Sequence, residues 1–134
     1  AVVGDGGIQM TIQELATAVQ ENVNINIALI NNGYLGMVRQ WQEMFYDNRY
    51  SETPISGPDY LKLTEAYGLK GYRVTERKDV ISTVLEAQAH DGPTLIEFVV
   101  EPMEMVYPMV ATGSALNEMV QRPLAEEQFA DMEI

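Results

Sequence analysis

The chain has 134 residues, 46% of them hydrophobic, enough to bury the core of one domain. Eight Lys and Arg against twenty Asp and Glu leave a net charge of −12, which opposes a nucleic-acid backbone or an anionic lipid surface as partner. Cysteine is absent and His90 is the single histidine, so disulfides, thiolate catalysis, iron–sulfur clusters and zinc sites built on Cys or His are disfavoured, and a reducing compartment is the natural setting. No run of about eighteen apolar residues occurs and the first residues lack a basic-then-apolar pattern, so neither a membrane span nor a secretory signal is read here.

Ala1, Val2 and Val3 form an apolar run with β propensity that reaches Gly4 at once, so the chain reads as starting inside a buried strand, an N-terminally truncated piece of something longer. Ile12, Leu15, Ala16 and Val19 recur at i, i+3, i+4 and i+7 and predict an amphipathic helix. Residues 25–30 are an apolar, β-branched run between Asn24 and the turn residues Asn31, Asn32 and Gly33, which predicts a second buried strand. A short helix follows over 34–41. Residues 42–58 mix polar, aromatic and turn residues without a period and read as a long loop, a class of segment that tends to form lids or binding surfaces.

Pro58 suits the first helical position of a helix over 59–67 that Gly68 stops. A short strand over 71–74, a helix with Val80, Ile81, Val84 and Leu85 on one face, and a buried strand over 94–100 complete the pattern. The tail, 101–134, carries Pro102, Pro108 and Pro123, one short helix near 115–120, and Glu126, Glu127, Asp131 and Glu133 as solvated acids. Strand and helix alternating in this way predict an α/β domain over 1–100, a parallel sheet flanked by helices, followed by that tail.

Two polar groups stand at the carboxyl ends of two predicted strands, Gly4, Asp5, Gly6 and Gly7 after the first and Asn31, Asn32 and Gly33 after the second. In open α/β sheets ligands bind at that edge. Neighbouring strands lie roughly 4.8 Å apart, so Asp5 and Asn32 on adjacent strands would share one ion. A carboxylate, an amide oxygen and a backbone carbonyl are hard ligands suited to Mg²⁺ or Ca²⁺, and Mg²⁺ commonly completes its shell with phosphate oxygens and water. Gly6 and Gly7 precede the helix carrying Ile12, where exposed N–H groups favour an anion. The combination points to a magnesium diphosphate site, although either turn alone is ordinary turn chemistry.

These residues resemble the signature of thiamine-diphosphate enzymes. Residues 4–15 with Met10, Gln13, Glu14 and Leu15, residues 31–41 with Leu35, Gly36, Met37, Gln40 and Trp41, and residues 106–120 with Pro108, Met109 and Val110 resemble in particular the large catalytic subunit of acetolactate synthase. Ala111 stands where a proline is common in the family, and Gly33 and Tyr34 where members vary. The resemblance implies the diphosphate-binding fold, with Mg²⁺ on the Asp5 and Asn32 side chains and the Tyr34 carbonyl. It implies that Gly4, Gly6 and Gly7 surround the diphosphate, that Leu35, Gly36 and Met37 lie along the cofactor, and that Trp41 lines the pocket of the acceptor 2-oxoacid.

The activity implied is decarboxylation of pyruvate and transfer of the hydroxyethyl group to pyruvate or 2-oxobutyrate, in branched-chain amino acid biosynthesis. The implied setting is bacterial cytoplasm or a plant plastid, with a homodimer or tetramer of catalytic subunits and a regulatory subunit. The catalytic glutamate and the FAD of such enzymes are expected on domains other than this one, so no residue of this chain is assigned to catalysis and the chain alone is expected to be inactive. A pyruvate oxidase, a catabolic acetolactate synthase without FAD, an oxoacid decarboxylase and a non-catalytic folding or interaction fragment are the alternative readings.

Overall fold

The computed structural model describes residues 1–122 and divides the chain into two compact units, Ala1–Glu104 and Met105–Ile134. The expected Pro123 break and the acids Glu126, Glu127, Asp131 and Glu133 lie outside the described residues.

The first unit is built on four parallel strands, β1 (Val2–Gly4), β2 (Asn26–Asn31), β3 (Lys70–Val74) and β4 (Thr94–Val99), in the spatial order β1-β2-β4-β3. Helices α1 (Asp5–Gln9), α2 (Glu14–Gln20), α3 (Gly36–Phe45), α4 (Tyr60–Tyr67) and α5 (Val80–Ala89) connect them. Side chains alternate across a strand, so successive residues of β4 feed opposite faces. Leu95 packs with Leu29, Ile8, Leu15, Tyr60 and Leu69 against α1, α2 and α4. Its neighbour Ile96 packs with Val74 and Ala87 against α5. Both faces of the sheet are thus covered, as the near-continuous apolar run of β4 requires of a parallel sheet.

Several sequence expectations need correction. β1 pairs only with β2, so among the described residues it is an edge strand and Val2 is 80% exposed, where a buried strand was expected. The expected first helix is two: residues 10–13, Ile12 among them, form turns, so Gly6 and Gly7 sit inside the five-residue α1 and not at the start of the amphipathic helix α2. α3 runs on to Phe45, which shortens the long loop by four residues. In the second unit the expected helix near 115–120 is absent; Met109–Val110 (β5) and Met119–Val120 (β6) pair antiparallel across a turn region that includes Gly113 in the left-handed conformation. The β-branched Val110 and Val120 on the pair favour a ladder over helix.

Pro58 precedes α4 without entering it. Asp59 is the cap, its Oδ1 accepting from Leu61 N at 3.2 Å, and Gly68 at φ 81° closes the other end as an L-residue could only under strain. Arg73 on β3 also donates to Asp59 Oδ1, at 2.9 Å. Burial works against ionisation of Asp59, but the Arg73 guanidinium overcomes it and holds the carboxyl below its usual 3.8. A depressed folded-state pKa contributes stability above the unfolded value that is lost as pH falls through the folded one. The urea midpoints of wild type and Asp59→Asn should therefore differ at neutral pH and converge below pH 3.8. A gap independent of pH would count against the pair as the cause.

Candidate functional site

β1 and β2 run side by side with Gly4 opposite Ile30, so Asp5 and the turn 31–33 leave the sheet at the same edge. Asp5 is 4% exposed, and its carboxylate is fixed by two backbone donors, Gly6 N to Oδ1 at 3.0 Å and Gly33 N to Oδ2 at 2.8 Å. The second contact carries Asp5 across to the turn that presents Asn32. Gly33 makes that turn at φ 70°, where a side chain would be strained. Asn32 Oδ1 accepts from Tyr34 N at 3.1 Å, folding the amide back toward the Tyr34 backbone. From the other side the Tyr60 hydroxyl donates to the Asp5 carbonyl at 3.3 Å. Burial, then the charges of Asp5 and Glu97, push the Tyr60 phenol above 10.0, so it remains a donor at neutral pH.

A cleft of about 360 Å³ opens at this edge. Gly4, Asp5, Gly6, Gly7, Asn32, Tyr34, Leu35, Gly36 and Met37, all singled out in the sequence, line it together with Ile30 and Val38. Trp41 lies outside it, on the wall of a second cavity of about 670 Å³ shared with Gln42, Tyr46 and Arg49, and Met37 and Val38 line both. The Trp41 ring stands edge-on to Phe45 at 5.5 Å.

α3 is turned the unusual way round. Its polar Arg39 and Gln40 are buried, while Met37, Val38, Trp41 and Phe45 are 37–50% exposed. An exposed apolar patch of this kind marks a surface built for a ligand or partner.

The donor chemistry fits a hard divalent cation. None of the ion pairs among the described residues involves Asp5, and a buried carboxylate without a cationic partner is costly. No cluster of three or more His, Cys, Asp or Glu suited to a metal occurs among the described residues, and Asp5 is the one acid among the residues that line the cleft, beside the Asn32 amide. The Gly6 amide is engaged by Asp5 Oδ1, a use not foreseen for it.

The long loop is tied to the site at its far end. Leu35 N donates to Thr53 O at 2.8 Å and Ile55 N to Gly33 O at 2.9 Å, around a bridge between Tyr34 and Pro54. Near its start, Arg39 pairs with Glu43 at 2.7 Å and lies over the rings of Tyr34 and Tyr50 at 5.6 and 5.5 Å. Tyr50 donates to Glu43 at 2.9 Å; burial first, then that carboxylate, raise the phenol above 10.0.

Sequence reasoning missed Arg39, Tyr60, Arg73 and Glu97. The last two had a visible signal, being lone charges inside strand runs, and they face each other in the β3–β4 register.

A parallel α/β sheet with a glycine-lined, acid-bearing cleft at its carboxyl edge defines a ligand-binding domain of the diphosphate type. Residues 1–98 match the family model described as thiamine pyrophosphate enzyme, C-terminal TPP binding domain, and the chain belongs to that family. It is 46% identical over 125 residues to an acetolactate synthase of Mycobacterium bovis, covering 89% of this chain and 20% of that protein. The mitochondrial acetolactate synthase catalytic subunit of Saccharomyces cerevisiae is 42% identical over 130 residues, 96% of this chain and 19% of that one. The large subunit of Escherichia coli acetolactate synthase isozyme 2 is 40% identical over 121 residues, 89% and 22% respectively. Among solved structures, a thiamine diphosphate-dependent 4-hydroxybenzoylformate decarboxylase of Rhodococcus jostii superposes with a TM-score of 0.69 at 30% identity, over 75% of this chain and 19% of that one. The chain thus spans about a fifth of the length of these relatives.

Proposed function

We propose that this chain supplies the diphosphate and Mg²⁺ half of an acetolactate synthase active site. The observation that carries the reading is the buried Asp5 carboxylate, without a cationic partner among the described ion pairs, at the floor of a cleft that gathers every cofactor residue the resemblance implies. Asp5 and Asn32 would hold Mg²⁺ through their side chains and Tyr34 through its carbonyl, with Gly4, Gly6 and Gly7 around the diphosphate. Thiamine diphosphate, when bound, supplies the carbon nucleophile and electron sink that decarboxylation of a 2-oxoacid needs. The residues of this chain bind and orient: Leu35, Gly36 and Met37 flank the cleft, and Trp41 lines the adjoining apolar cavity where the acceptor, pyruvate or 2-oxobutyrate, would sit.

The reading includes FAD and the catalytic glutamate on other domains, a dimer or tetramer of catalytic subunits, a regulatory subunit, and a cytoplasmic or plastid setting. The isolated chain is inactive on this reading. A second reading, a 2-oxoacid decarboxylase, is favoured by the likeness to the Rhodococcus enzyme.

Product analysis on the protein carrying this chain separates the two. Supplied with pyruvate and 2-oxobutyrate, it should release 2-acetolactate and 2-aceto-2-hydroxybutyrate. Free aldehyde would move the assignment to a decarboxylase, and acetyl phosphate to an oxidase.

A further inference from the structure

At the carboxyl edge of the sheet, the face packed against α4 changes from apolar to charged. Leu29 and Leu95 occupy its lower part; two residues on in each strand come Asn31 and Glu97, with Arg73 opposite Glu97 on β3. Glu97 is 3% exposed, and both its oxygens are used. Oε2 accepts from Arg73 Nε at 2.6 Å, and Oε1 accepts from Asn31 Nδ2 at 2.7 Å. Asn31 in turn accepts from Gly33 N through Oδ1 at 3.2 Å, and the same N–H donates to Asp5 Oδ2 at 2.8 Å. One chain of contacts therefore runs Arg73, Glu97, Asn31, Gly33, Asp5, from the far edge strand to the acid of the cleft. Asp59 takes a second Arg73 donor at 2.9 Å, which anchors the guanidinium to the cap of α4.

A buried carboxylate in mid-strand is costly and adds little net stability over an apolar residue of similar size. What it does add is direction. With Asn31 Nδ2 held by Glu97, the Asn31 amide presents its oxygen to Gly33, and the turn that carries Asn32 is fixed relative to Asp5. Without that acceptor the Asn31 amide is free to rotate, and Gly33 retains only its bond to Asp5.

We propose that Glu97, oriented by Arg73, is a positioning residue for the cation site: it holds the Asn31–Gly33 turn so that the Asn32 and Asp5 oxygens face one ion. This rests on the reading of the cleft as a Mg²⁺–diphosphate site.

Replacing Glu97 alone would leave the Arg73 guanidinium with Asp59 as its one carboxylate and no partner on β4, so the test uses the paired replacement Arg73→Met/Glu97→Met, which removes both charges and roughly keeps the volume. Thiamine diphosphate is titrated calorimetrically into the protein carrying this chain at a series of Mg²⁺ concentrations, which gives the Mg²⁺ affinity of the assembled site, and hydrogen exchange is followed on the peptide spanning residues 31–35 without ligand. The expected result is Mg²⁺ affinity weakened about tenfold, the lower end of what loss of an outer-shell partner costs. Exchange in that peptide should quicken, and adding Asn31→Ala to the pair should weaken Mg²⁺ binding no further, since coupled residues are not additive.

A purely structural pair would lower the melting temperature and leave Mg²⁺ affinity within about twofold with exchange in 31–35 unchanged, well short of that outer-shell cost, and this would overturn the proposal while the site reading stands. A further loss on adding Asn31→Ala would equally overturn the relay through Asn31. Wild-type protein that binds no Mg²⁺ with thiamine diphosphate would overturn both.

Discussion

Asp5→Ala should abolish Mg²⁺-dependent binding of thiamine diphosphate, by more than about 100-fold, beyond the 10–100-fold that loss of an outer-shell partner costs. The reason lies in what the cleft offers. Asp5 is its one buried acid, with both carboxylate oxygens already steered by the Gly6 and Gly33 amides. Asn32 and the Tyr34 carbonyl are neutral and would not hold a divalent cation alone. Asp5→Asn separates charge from shape, because the amide oxygen can still accept one of the two N–H bonds while the negative charge is gone. It should lose most of the Mg²⁺ dependence with the melting temperature of unliganded protein within a few degrees of wild type, that is, a change of about 1 kcal/mol. Calorimetric titration with thiamine diphosphate, with and without Mg²⁺, reads the first quantity and thermal unfolding the second. Asp5→Asn protein that still binds the cofactor only in the presence of Mg²⁺ and at wild-type affinity would remove Asp5 from the metal site.

That much of the site was legible because it depends on local signals at strand ends. Gly4, Asp5 and Gly6 terminate one β-prone run and Asn31, Asn32 and Gly33 another, and a parallel sheet sends both ends to the same edge. α4, β3 and β4 fell within a residue of their expected places, since apolar runs and, after α4, the terminal Gly68 mark them. What was not legible depends on pairing. Glu97 and Arg73 gain meaning only when β3 is known to lie beside β4, an order that skips a strand in sequence. The break between α1 and α2 was hidden because Ile8, Ile12 and Leu15 continue a helical spacing through the turns at 10–13. In the tail, residues 115–120 have helix-compatible composition, and the choice of strand over helix for Met119 and Val120 is made by the distant Met109 and Val110. Arg39 was invisible for another reason: a charged residue on an amphipathic helix reads as solvent-facing, yet here two tyrosines from outside the helix cover it.

Arg39→Ala should cost about 2–3 kcal/mol in folding stability, below the 3–5 kcal/mol of a wholly buried broken pair because the Glu43 side chain is 30% exposed. Arg39 is 3% exposed, and its guanidinium pairs with Glu43, covers the Tyr34 ring beside the Asn32 turn and the Tyr50 ring in the loop after α3, and donates to Met103 O at 3.4 Å. Its loss removes two cation–π contacts and the bond to Met103 O, and leaves Glu43 with the Tyr50 hydroxyl, which also meets Asn48 Oδ1 at 3.2 Å. The loop is otherwise fastened at Ser51 by the Gln42 amide and at Thr53 and Ile55, so the freed stretch lies between Phe45 and Ser51 and contains Arg49, whose side chain is 75% exposed. Trypsin cleavage after Arg49 should therefore rise about tenfold in native conditions, in step with a greater population of open loop. Arg39→Lys should not restore protection, since an ammonium cannot stack between two rings and pair with Glu43 in the same way. Cleavage at the wild-type rate in Arg39→Ala would show that the Gln42–Ser51 contacts and the ladder at residues 53–55 hold the loop without Arg39. Protection that increases in wild type on adding Mg²⁺ and thiamine diphosphate, and not in Arg39→Ala, would tie this clamp to the occupied cleft through Tyr34.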